Sequence, residues 1–445
     1  MKAFGKLLLA AIAIFVLLQF IHPAIPSPPV TAEIAAPPQV LHVLQKDCYS
    51  CHSNERRLAW FDQIEPGYWL VRKDVLTARE HLNFSTLGSK PAAVQKATLF
   101  EAVAMMQLGA MPLPRFTALH PDAKVTPEDL AILKAYLAPW STAPPASTAI
   151  TPVPATSPVN LAAIAPELNG VPFDKDFETW KPLSYTDRGD NYTFRFILGN
   201  DIAFKAAQSG NISPWPDGSR FAKIAWAQET GPDGLIHPGR FIQVELMLKD
   251  ASLYKDTAGW GWGRWRGLDL KPYGKDAHFV GECTTCHLPV RKADDVYTLP
   301  ITTSHGMLQE VVNNRAAALP ANLPYQPLAW NAITMFVDPA TRTQSTLYGN
   351  AQALQAANPR SGNATPTYPA GAVLALVTWV QRDDPHWFGA RIPDAPRSVE
   401  FIEVTSDAAG KYRRYDGASL AEDAVFPNAA QRKAFILGLA PAKLP

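Results

Sequence analysis

The cysteines constrain this 445-residue chain most, because all four belong to two copies of one short motif. Each copy has two cysteines separated by two residues, with a histidine directly after: Cys48, Cys51 and His52, then Cys283, Cys286 and His287. This is the attachment pattern of c-type haem, in which each thiol adds to a vinyl group and the histidine ligates the iron. A redox dithiol or half of a zinc site would not require the histidine in both copies. The motifs predict two covalently attached c-type haems as cofactors.

The N-terminus predicts export from the cytoplasm. Lys2 and Lys6 precede an apolar run from Leu7 to Ile21, the pattern of an export signal. No clean cleavage site of small residues follows, so a removed signal peptide and an uncleaved anchor over residues 1–28 both stay open. Either one places the rest of the chain in the periplasm, soluble or anchored in the inner membrane.

Composition indicates a globular protein of several domains. The length predicts about three domains, and hydrophobic residues make up 47% of the chain, enough for real cores. The 41 basic residues balance the 40 acidic ones, so nothing indicates a nucleic-acid partner.

Residues 29–140 predict an all-helical domain around the first haem. Pro91 stands at the start of one helix. Thr126 and Pro127 give a second helix an N-cap and a proline in its first turn, and Pro139 ends it.

The two axial ligands of the first haem are predicted from different signals. His52 is the proximal ligand because it belongs to the motif. For the sixth position we favour Met111, in a proline-flanked loop typical of axial methionines, over His81. His120 and His42 also compete, and Met111 could instead fill the core.

Several stretches of this domain accompany the motif: Asp47–Asn54, Pro66–Leu70, Asp74 and Val75, Arg79–Ser85, the Met111-Pro112 loop and His120-Pro121. With them, nearly the whole segment resembles the bacterial haem-binding domain family of c-type cytochromes. The resemblance implies a periplasmic haem protein that transfers electrons.

Residues 141–160 predict a linker, because proline, alanine, serine and threonine dominate and no charged or aromatic residue occurs. After the linker the hydrophobic period changes to two. Residues 221–226 and 241–248 alternate as antiparallel strands do. Residues 259–267 are predicted as a glycine-spaced aromatic loop beside the haem. Residues 161–306 therefore predict a domain with an antiparallel sheet that carries the second haem.

A further set of stretches lies in this central domain: Phe196–Asn200, Ala203–Ala207, Pro214–Gly218, Phe221–Trp226, Gln243–Met247, Gly259–Gly267 and the second haem motif. With them, the domain resembles the cytochrome P-460 family. The resemblance implies an antiparallel sheet with helices, usually in a dimer, and a c-type haem that is also cross-linked to a lysine. Members oxidise hydroxylamine or handle nitric oxide. A related cytochrome c′-beta branch lacks the cross-link and binds small gases.

The resemblance also implies roles for single residues. His287 matches the proximal ligand, and Lys223 matches the cross-linking lysine, with Lys205 as the second candidate. Glu245 matches a distal carboxylate and Arg195 a distal arginine. A desolvated lysine can lose its proton and become a nucleophile, and a carboxylate in a partly apolar pocket can take protons. The alternatives are a solvated strand lysine and a surface carboxylate.

Residues 307–445 lack cysteine but echo the central domain. Trp330 precedes the Gly349-Asn350 pair by the same number of positions as Trp180 precedes Gly199-Asn200. An aromatic-proline turn leads to a tryptophan in both segments, and Glu403 stands parallel to Glu245 in this alignment. The pattern indicates an internal duplication.

Three features of the haem chemistry are missing from this second copy. Leu376 stands at the position of Lys223, Ser345 stands at the position of Arg195, and the motif is absent. We therefore expect a degenerate copy without haem, which supplies the dimer partner within one chain.

The predicted fold class is multidomain: an all-α c-type haem domain followed by two α+β domains with antiparallel sheets. The expected function is an exported dihaem cytochrome that oxidises a small nitrogen compound, hydroxylamine or nitric oxide, at the central haem. Electrons would leave through the N-terminal haem to a periplasmic acceptor. A non-catalytic protein that binds nitric oxide or transfers electrons is the alternative.

Overall fold

The computed structural model describes residues 2–55, 57–141, 159–301, 313–358, 360, 365–406, 410–424 and 426–445. The chain forms two compact units, Met1–Pro139 and Trp140–Pro445. Most of the predicted linker at 141–160 lies outside the described residues.

The first unit is helical, as predicted. Thr126 forms a reciprocal capping box with Asp129 at the start of the last helix, and Pro91 is the N-cap of the longest helix of the haem domain. No described helix combines the length and the apolar character that crossing a membrane requires. The described residues of this unit form α1 (Lys2–Leu18), α2 (Pro38–Asp47), α3 (Tyr49–His52), α4 (Gly67–His81), α5 (Phe84–Leu87), α6 (Ala92–Gln107), α7 (Pro114–Thr117) and α8 (Pro127–Leu137).

The core of the first unit holds the haem motif in place. Tyr49 begins the motif helix α3 and is fully buried, and its ring stacks on Phe84 with 5.2 Å between the centroids. Its hydroxyl donates a 2.7 Å hydrogen bond to Glu33. The apolar contact and the hydrogen bond together fix α3 against its neighbours.

The second unit consists mainly of antiparallel strands. Its described residues form twelve strands and four α-helices. The strands are β1 (Lys181–Arg188), β2 (Thr193–Gly199), β3 (Arg220–Thr230), β4 (Ile236–Lys249), β5 (Trp260–Arg266), β6 (Lys271–Pro272), β7 (Asn331–Asp338), β8 (Thr343–Gly349), β9 (Val373–Asp383), β10 (Ala390–Glu403), β11 (Lys411–Asp416) and β12 (Ala421–Glu422). The helices are α9 (Asp201–Ser209), α10 (Val280–His287), α11 (Ala351–Ala356) and α12 (Ala429–Gly438).

Eight of the described strands close into a ring. Neighbours follow the order β1, β2, β3, β4, β7, β8, β9 and β10, and β10 pairs again with β1. The two seams are short: Ile236 lies opposite Val337 between β4 and β7, and Asp187 lies opposite Arg391 between β1 and β10. Strands β5 and β11 pair with β4 and β10 beside the ring.

One aromatic core serves both halves of this unit. Trp226 of β3 and Trp379 of β9 are fully buried in the same cluster, where Tyr185 of β1 also contacts Tyr348 of β8. The two indole N–H groups donate to backbone carbonyls at 2.7 and 2.9 Å. Because apolar side chains from both halves fill one core, each half depends on the other for its burial.

The two halves repeat the same local geometry. Strand β1 has a register shift between Pro182 and Ser184, and β7 has one between Ala332 and Thr334. Asn200 and Asn350 cap α9 and α11 in the same way, and both amides also donate to the carbonyl of a turn glycine.

The second unit differs from the predicted pair of α+β domains, because its strands form one sheet instead of two. Residues 161–306 and 307–445 contribute four strands each to one closed ring and belong to one compact unit. The physical reason is that apolar side chains of both halves fill one core, and each half alone would expose its share of that core to water.

Candidate haem sites

In the first unit, helix α3 begins directly after Cys48 and contains Cys51 and His52, and both cysteines are half-buried. His52 Nδ1 lies 3.0 Å from the carbonyl oxygen of Leu82. This bond places the imidazole proton on Nδ1, so Nε2 is the nitrogen available to a metal. Burial lowers the pKa of His52, which favours the neutral, ligating imidazole.

The candidates for the sixth ligand of this haem occupy different environments. His42 and His81 are exposed. His120 Nε2 lies 2.9 Å from an aspartate carboxylate, so this ring nitrogen is already engaged. Met111 is half-buried in the turn after α6. Met111 as the sixth ligand stays a prediction.

The second motif lies on α10, and its histidine has a fixed orientation. His287 Nδ1 lies 2.6 Å from the carbonyl oxygen of Asp295, which again leaves Nε2 for a metal. The imidazole packs edge-on against Trp262 and Tyr297, with centroid distances of 4.6 and 5.1 Å. Burial lowers the pKa of His287 to about 3, so the imidazole is neutral.

The turn that presents the Asp295 carbonyl is strained and firmly held. Asp294 and Asp295 have φ angles of 54° and 63°, in the left-handed region that non-glycine residues rarely adopt. Lys249 Nζ lies 2.7 Å from the Asp294 carboxylate, and the backbone N–H of Trp215 donates to the same group at 2.9 Å. The indole of Trp260 donates to the Asp294 carbonyl at 2.9 Å. These contacts stabilise an otherwise unfavourable turn.

Four charged side chains from neighbouring strands share one face of the sheet, and we call them the charged row: Arg195 on β2, Lys223 on β3, Glu245 on β4 and Arg264 on β5. Lys223 lies directly opposite Glu245, and Glu245 lies opposite Arg264. Arg195 is opposite the residue two positions after Lys223, so it points to the same side. Trp262, two residues before Arg264, also shares this face and packs on the motif histidine. The charged row therefore lies on the side of the sheet that faces α10.

Glu245 is at the centre of the charged row. One carboxylate oxygen contacts Lys223 Nζ. The other lies 2.8 Å from Arg264 Nε and accepts a 2.7 Å hydrogen bond from the Gln243 amide. Two cationic side chains and one amide N–H group therefore surround this carboxylate.

Two cations of the charged row have shifted pKa values. Burial, followed by the positive charges of Arg195 and Arg264, lowers the pKa of Lys223 well below its usual value. Burial and the nearby charge of Arg188 lower the pKa of Arg195 to about 9. A Lys223 amine that is more readily neutral is a better nucleophile and proton acceptor.

These residues fit a c-type haem. Among the described residues, Arg195 Nε and Trp262 Nε1 are buried N–H donors without a hydrogen-bond partner. Orphaned donors are rare in folded proteins, and haem propionates or an iron-bound ligand are acceptors that would satisfy them. Lys205, the second candidate for the cross-link, is exposed on α9 and is not part of the charged row.

Comparison with models of protein families gives two matches. Residues 13–139 match the haem-binding domain, and residues 174–298 match cytochrome P-460. The chain joins a haem-binding domain to a cytochrome P-460 domain. Comparison with curated proteins gives no match. The P-460 match includes the charged row and all of α10.

Sequence reasoning missed Arg264 of the P-460 domain. Residues 259–267 were expected to form a loop, but Trp260–Arg266 is strand β5, paired along β4. The alternation of Trp260, Trp262 and Arg264 is the period-two signal that could have identified the strand. The glycines between them leave room for aromatic rings: a Cβ at Gly261 would lie 2.3 Å from the Tyr254 ring.

The C-terminal half keeps the strand frame of the P-460 domain but replaces its charged row. Leu376 lies opposite Glu400 across β9 and β10, as Lys223 lies opposite Glu245 across β3 and β4. The structural counterpart of Glu245 is therefore Glu400, and the sequence parallel with Glu403 was wrong. Both hairpins have the same two register shifts, but their turns differ in length. Five residues separate the innermost pair Thr230 and Ile236, whereas seven separate Asp383 and Arg391, and this difference offsets β10 from the simple sequence alignment.

Helix α12 packs against this face of the C-terminal half. Arg432 Nη2 lies 2.5 Å from the fully buried Glu400 carboxylate, and Arg414 lies 3.6 Å from it. The Tyr412 hydroxyl donates to the same carboxylate at 2.5 Å. Ile436 of α12 belongs to the same apolar cluster as Leu376. Protein side chains thus cover the sheet face that in the P-460 domain carries the charged row.

Proposed function

We propose that this protein is an exported dihaem c-type cytochrome that oxidises a small nitrogen compound, hydroxylamine or nitric oxide, at the haem of its P-460 domain. The observation that carries the proposal is the charged row beside His287. A plain electron carrier needs only ligands for the iron. Titratable groups with shifted pKa values beside a haem motif suit chemistry that moves protons.

The residues of α10 have defined roles toward the haem. When bound, haem would supply an iron that changes oxidation state and could bind a small ligand. Cys283 and Cys286 would hold the porphyrin through thioether bonds, and His287 would ligate the iron through Nε2. The hydrogen bond from His287 Nδ1 to Asp295 keeps the ring orientation and increases the basicity of Nε2.

The charged row handles the protons. Oxidation of hydroxylamine releases protons together with electrons, so a base close to the substrate accelerates it. Glu245 is suited to this role because Gln243 and Arg264 hold its carboxylate in place. Lys223 contacts the other oxygen and can exchange a proton with it directly. Arg195 brings a buried positive charge to the same face.

The haem-binding domain serves as the electron exit. His52 is oriented and neutral for ligation, and Met111 as a sixth ligand would give this haem the closed coordination of an electron carrier. Electrons then pass to a periplasmic acceptor. The lysine-led apolar segment supports export, with α1 either removed or retained as an inner-membrane anchor.

One observation favours a second candidate function. Lys223 Nζ contacts the Glu245 carboxylate, and an amine directed at a carboxylate is not positioned to attack a porphyrin edge. Without the cross-link, the P-460 domain would be a non-catalytic site for nitric oxide, coupled to an electron-transfer domain.

We propose further that residues 307–445 are a degenerate copy of the P-460 domain, without haem, that provides the dimer partner within one chain. The support is the closed ring to which each half contributes four strands, the shared aromatic core and the repeated bulges and caps. In this proposal the copy keeps the strands and core residues that complete the fold, and it has lost the haem motif and the charged row.

Steady-state assays and peptide mapping test the proposed function. Purified protein with both haems attached is expected to oxidise hydroxylamine with a soluble electron acceptor. Mass spectrometry of the haem peptide is expected to show Lys223 joined to the porphyrin. Absence of turnover in protein that carries both haems would reject the enzyme and leave the gas-binding alternative.

A further inference from the structure

The loop between β9 and β10, residues 384–389, belongs to the C-terminal half but contacts the P-460 domain near its haem motif. His386 Nδ1 lies 2.7 Å from the carbonyl oxygen of Tyr297. The Trp387 ring lies 5.8 Å from the ring of Tyr297. The backbone N–H of Gly189 donates to the Gly389 carbonyl at 2.9 Å. The loop is thus fastened to the other half by polar and aromatic contacts.

Tyr297 connects this loop to the proximal histidine. Its hydroxyl donates to the carbonyl oxygen of Cys286 at 2.6 Å, and its ring packs edge-on against His287. The side chain of Tyr297 therefore contacts the end of α10, and its backbone carbonyl is bound by His386. Displacement of the loop would release one of the two rings that pack on His287.

Trp387 also covers a buried ion pair near the other end of the charged row. The guanidinium of Arg188 lies 4.3 Å from the centre of the Trp387 ring and binds both carboxylate oxygens of Asp190. The Trp387 indole N–H lies 3.3 Å from the same carboxylate. Arg188 shares its sheet face with Arg195 and contributes to the lowered pKa of Arg195.

The corresponding loop of the other half has none of these groups. The loop between β3 and β4 reads Gly231-Pro232-Asp233-Gly234-Leu235, whereas the loop between β9 and β10 reads Asp384-Pro385-His386-Trp387-Phe388-Gly389. The two loops connect equivalent strands of a repeated frame. Of these two loops, only the one that contacts the P-460 domain contains histidine and tryptophan. Closing the ring of strands therefore does not by itself explain why His386 and Trp387 are present.

We propose that the C-terminal half completes the haem site of the P-460 domain, with His386 and Trp387 as positioning residues. His386 and Trp387 hold Tyr297 against His287, and Trp387 holds Arg188 and Asp190 beside Arg195. This inference rests on the proposed haem site and is independent of which substrate the site oxidises. It assigns the haem-free copy a role in haem function in addition to its role in folding.

Trp387→Leu and His386→Leu test this inference in the full-length holoprotein. We expect both haems to stay attached, the resonance Raman signature of the iron–His287 bond to change, and the reduction potential of the central haem to shift. Nitric oxide affinity of the reduced central haem should fall about 10-fold, at the low end of the effect of outer-shell partners. Asp233→Ala in the corresponding loop is the matched control and should change none of these.

Two milder variants keep the test decisive if a leucine variant does not fold. Trp387→Phe retains the ring over Arg188 but loses the N–H to Asp190, and His386→Asn retains a short polar side chain. The inference is overturned if folded variants show the wild-type iron–histidine signature, potential and nitric oxide affinity. Because these readouts need no turnover, a protein that fails to oxidise hydroxylamine would contradict the proposed function and leave this inference standing.

Discussion

Lys223 and Glu245 lie directly opposite each other on β3 and β4, and their charged groups are in contact on the face of the sheet that α10 approaches. In the C-terminal half the same pair of positions holds Leu376 and Glu400. The same strand positions therefore hold a lysine–glutamate pair in the half that contains the haem motif and a leucine–glutamate pair in the half that lacks it. This difference supports our proposal that the pair belongs to the haem site.

Lys223→Leu tests the role of the lysine with little risk to the fold, because the equivalent strand position of the C-terminal half already holds Leu376. We expect both haems to remain attached through their cysteines. The link between residue 223 and the porphyrin should be absent, and hydroxylamine oxidation should fall about 10- to 100-fold. Peptide mass spectrometry and steady-state kinetics measure these outcomes. Lys205→Leu, on the exposed side of α9, is the control, and an equal loss of activity in it would contradict the assignment.

Arg432→Met tests how the C-terminal half is stabilised without haem. The change removes the closest cation from the buried Glu400, so the free energy of unfolding should fall by about 3 kcal/mol. Urea denaturation measures it. Arg413→Met breaks a more exposed ion pair with Glu403 and should cost less than about 1 kcal/mol. If the two variants lost similar amounts of unfolding free energy, the contacts of Glu400 would contribute no more to stability than an exposed ion pair does.

Trp379→Leu tests whether the two halves share one core. The smaller side chain leaves a cavity, and the Ala317 carbonyl loses the N–H group that Trp379 donates to it. Together these losses should destabilise the second unit by about 3 kcal/mol. Hydrogen exchange should then accelerate in β1 to β4 as well as in β7 to β10. Val380→Ala, at the exposed neighbouring position, serves as the control. Acceleration confined to β7–β10 would mean that each half is independently stable.

Met111→Ala tests the coordination of the first haem. If the thioether is the sixth ligand, its loss should convert this haem from low-spin to high-spin and lower its reduction potential. Electron paramagnetic resonance and redox titration measure the change. His81→Ala should leave both properties as they are, and the opposite pattern would assign the sixth ligand to His81.

Local features were predictable from the sequence because their physics is local. The haem motifs, the Thr126 cap and the alternation in β3 and β4 each depend on residues a few positions apart. Lys223 and Glu245 were placed by resemblance, and the structure pairs them across neighbouring strands.

Other features depend on contacts between distant parts of the chain. The seams that close the ring join Ile236 to Val337 and Asp187 to Arg391, and no short pattern specifies those pairs. The role of Arg432 depends on where α12 packs. The contact of His386 with Tyr297 depends on how the C-terminal half packs on the P-460 domain. The different lengths of the two hairpin turns also misled the alignment that matched Glu403 with Glu245.

The rate of hydroxylamine oxidation by Glu245→Gln tests the central claim most directly. Glutamine keeps the size of the side chain but cannot take a proton, so kcat should fall about 100-fold, as expected for loss of a general base. Glu229→Gln, on the same β3–β4 hairpin but outside the charged row, should retain the wild-type kcat. A Glu245→Gln protein with both haems attached and an unchanged kcat would contradict a role for the charged row in the chemistry.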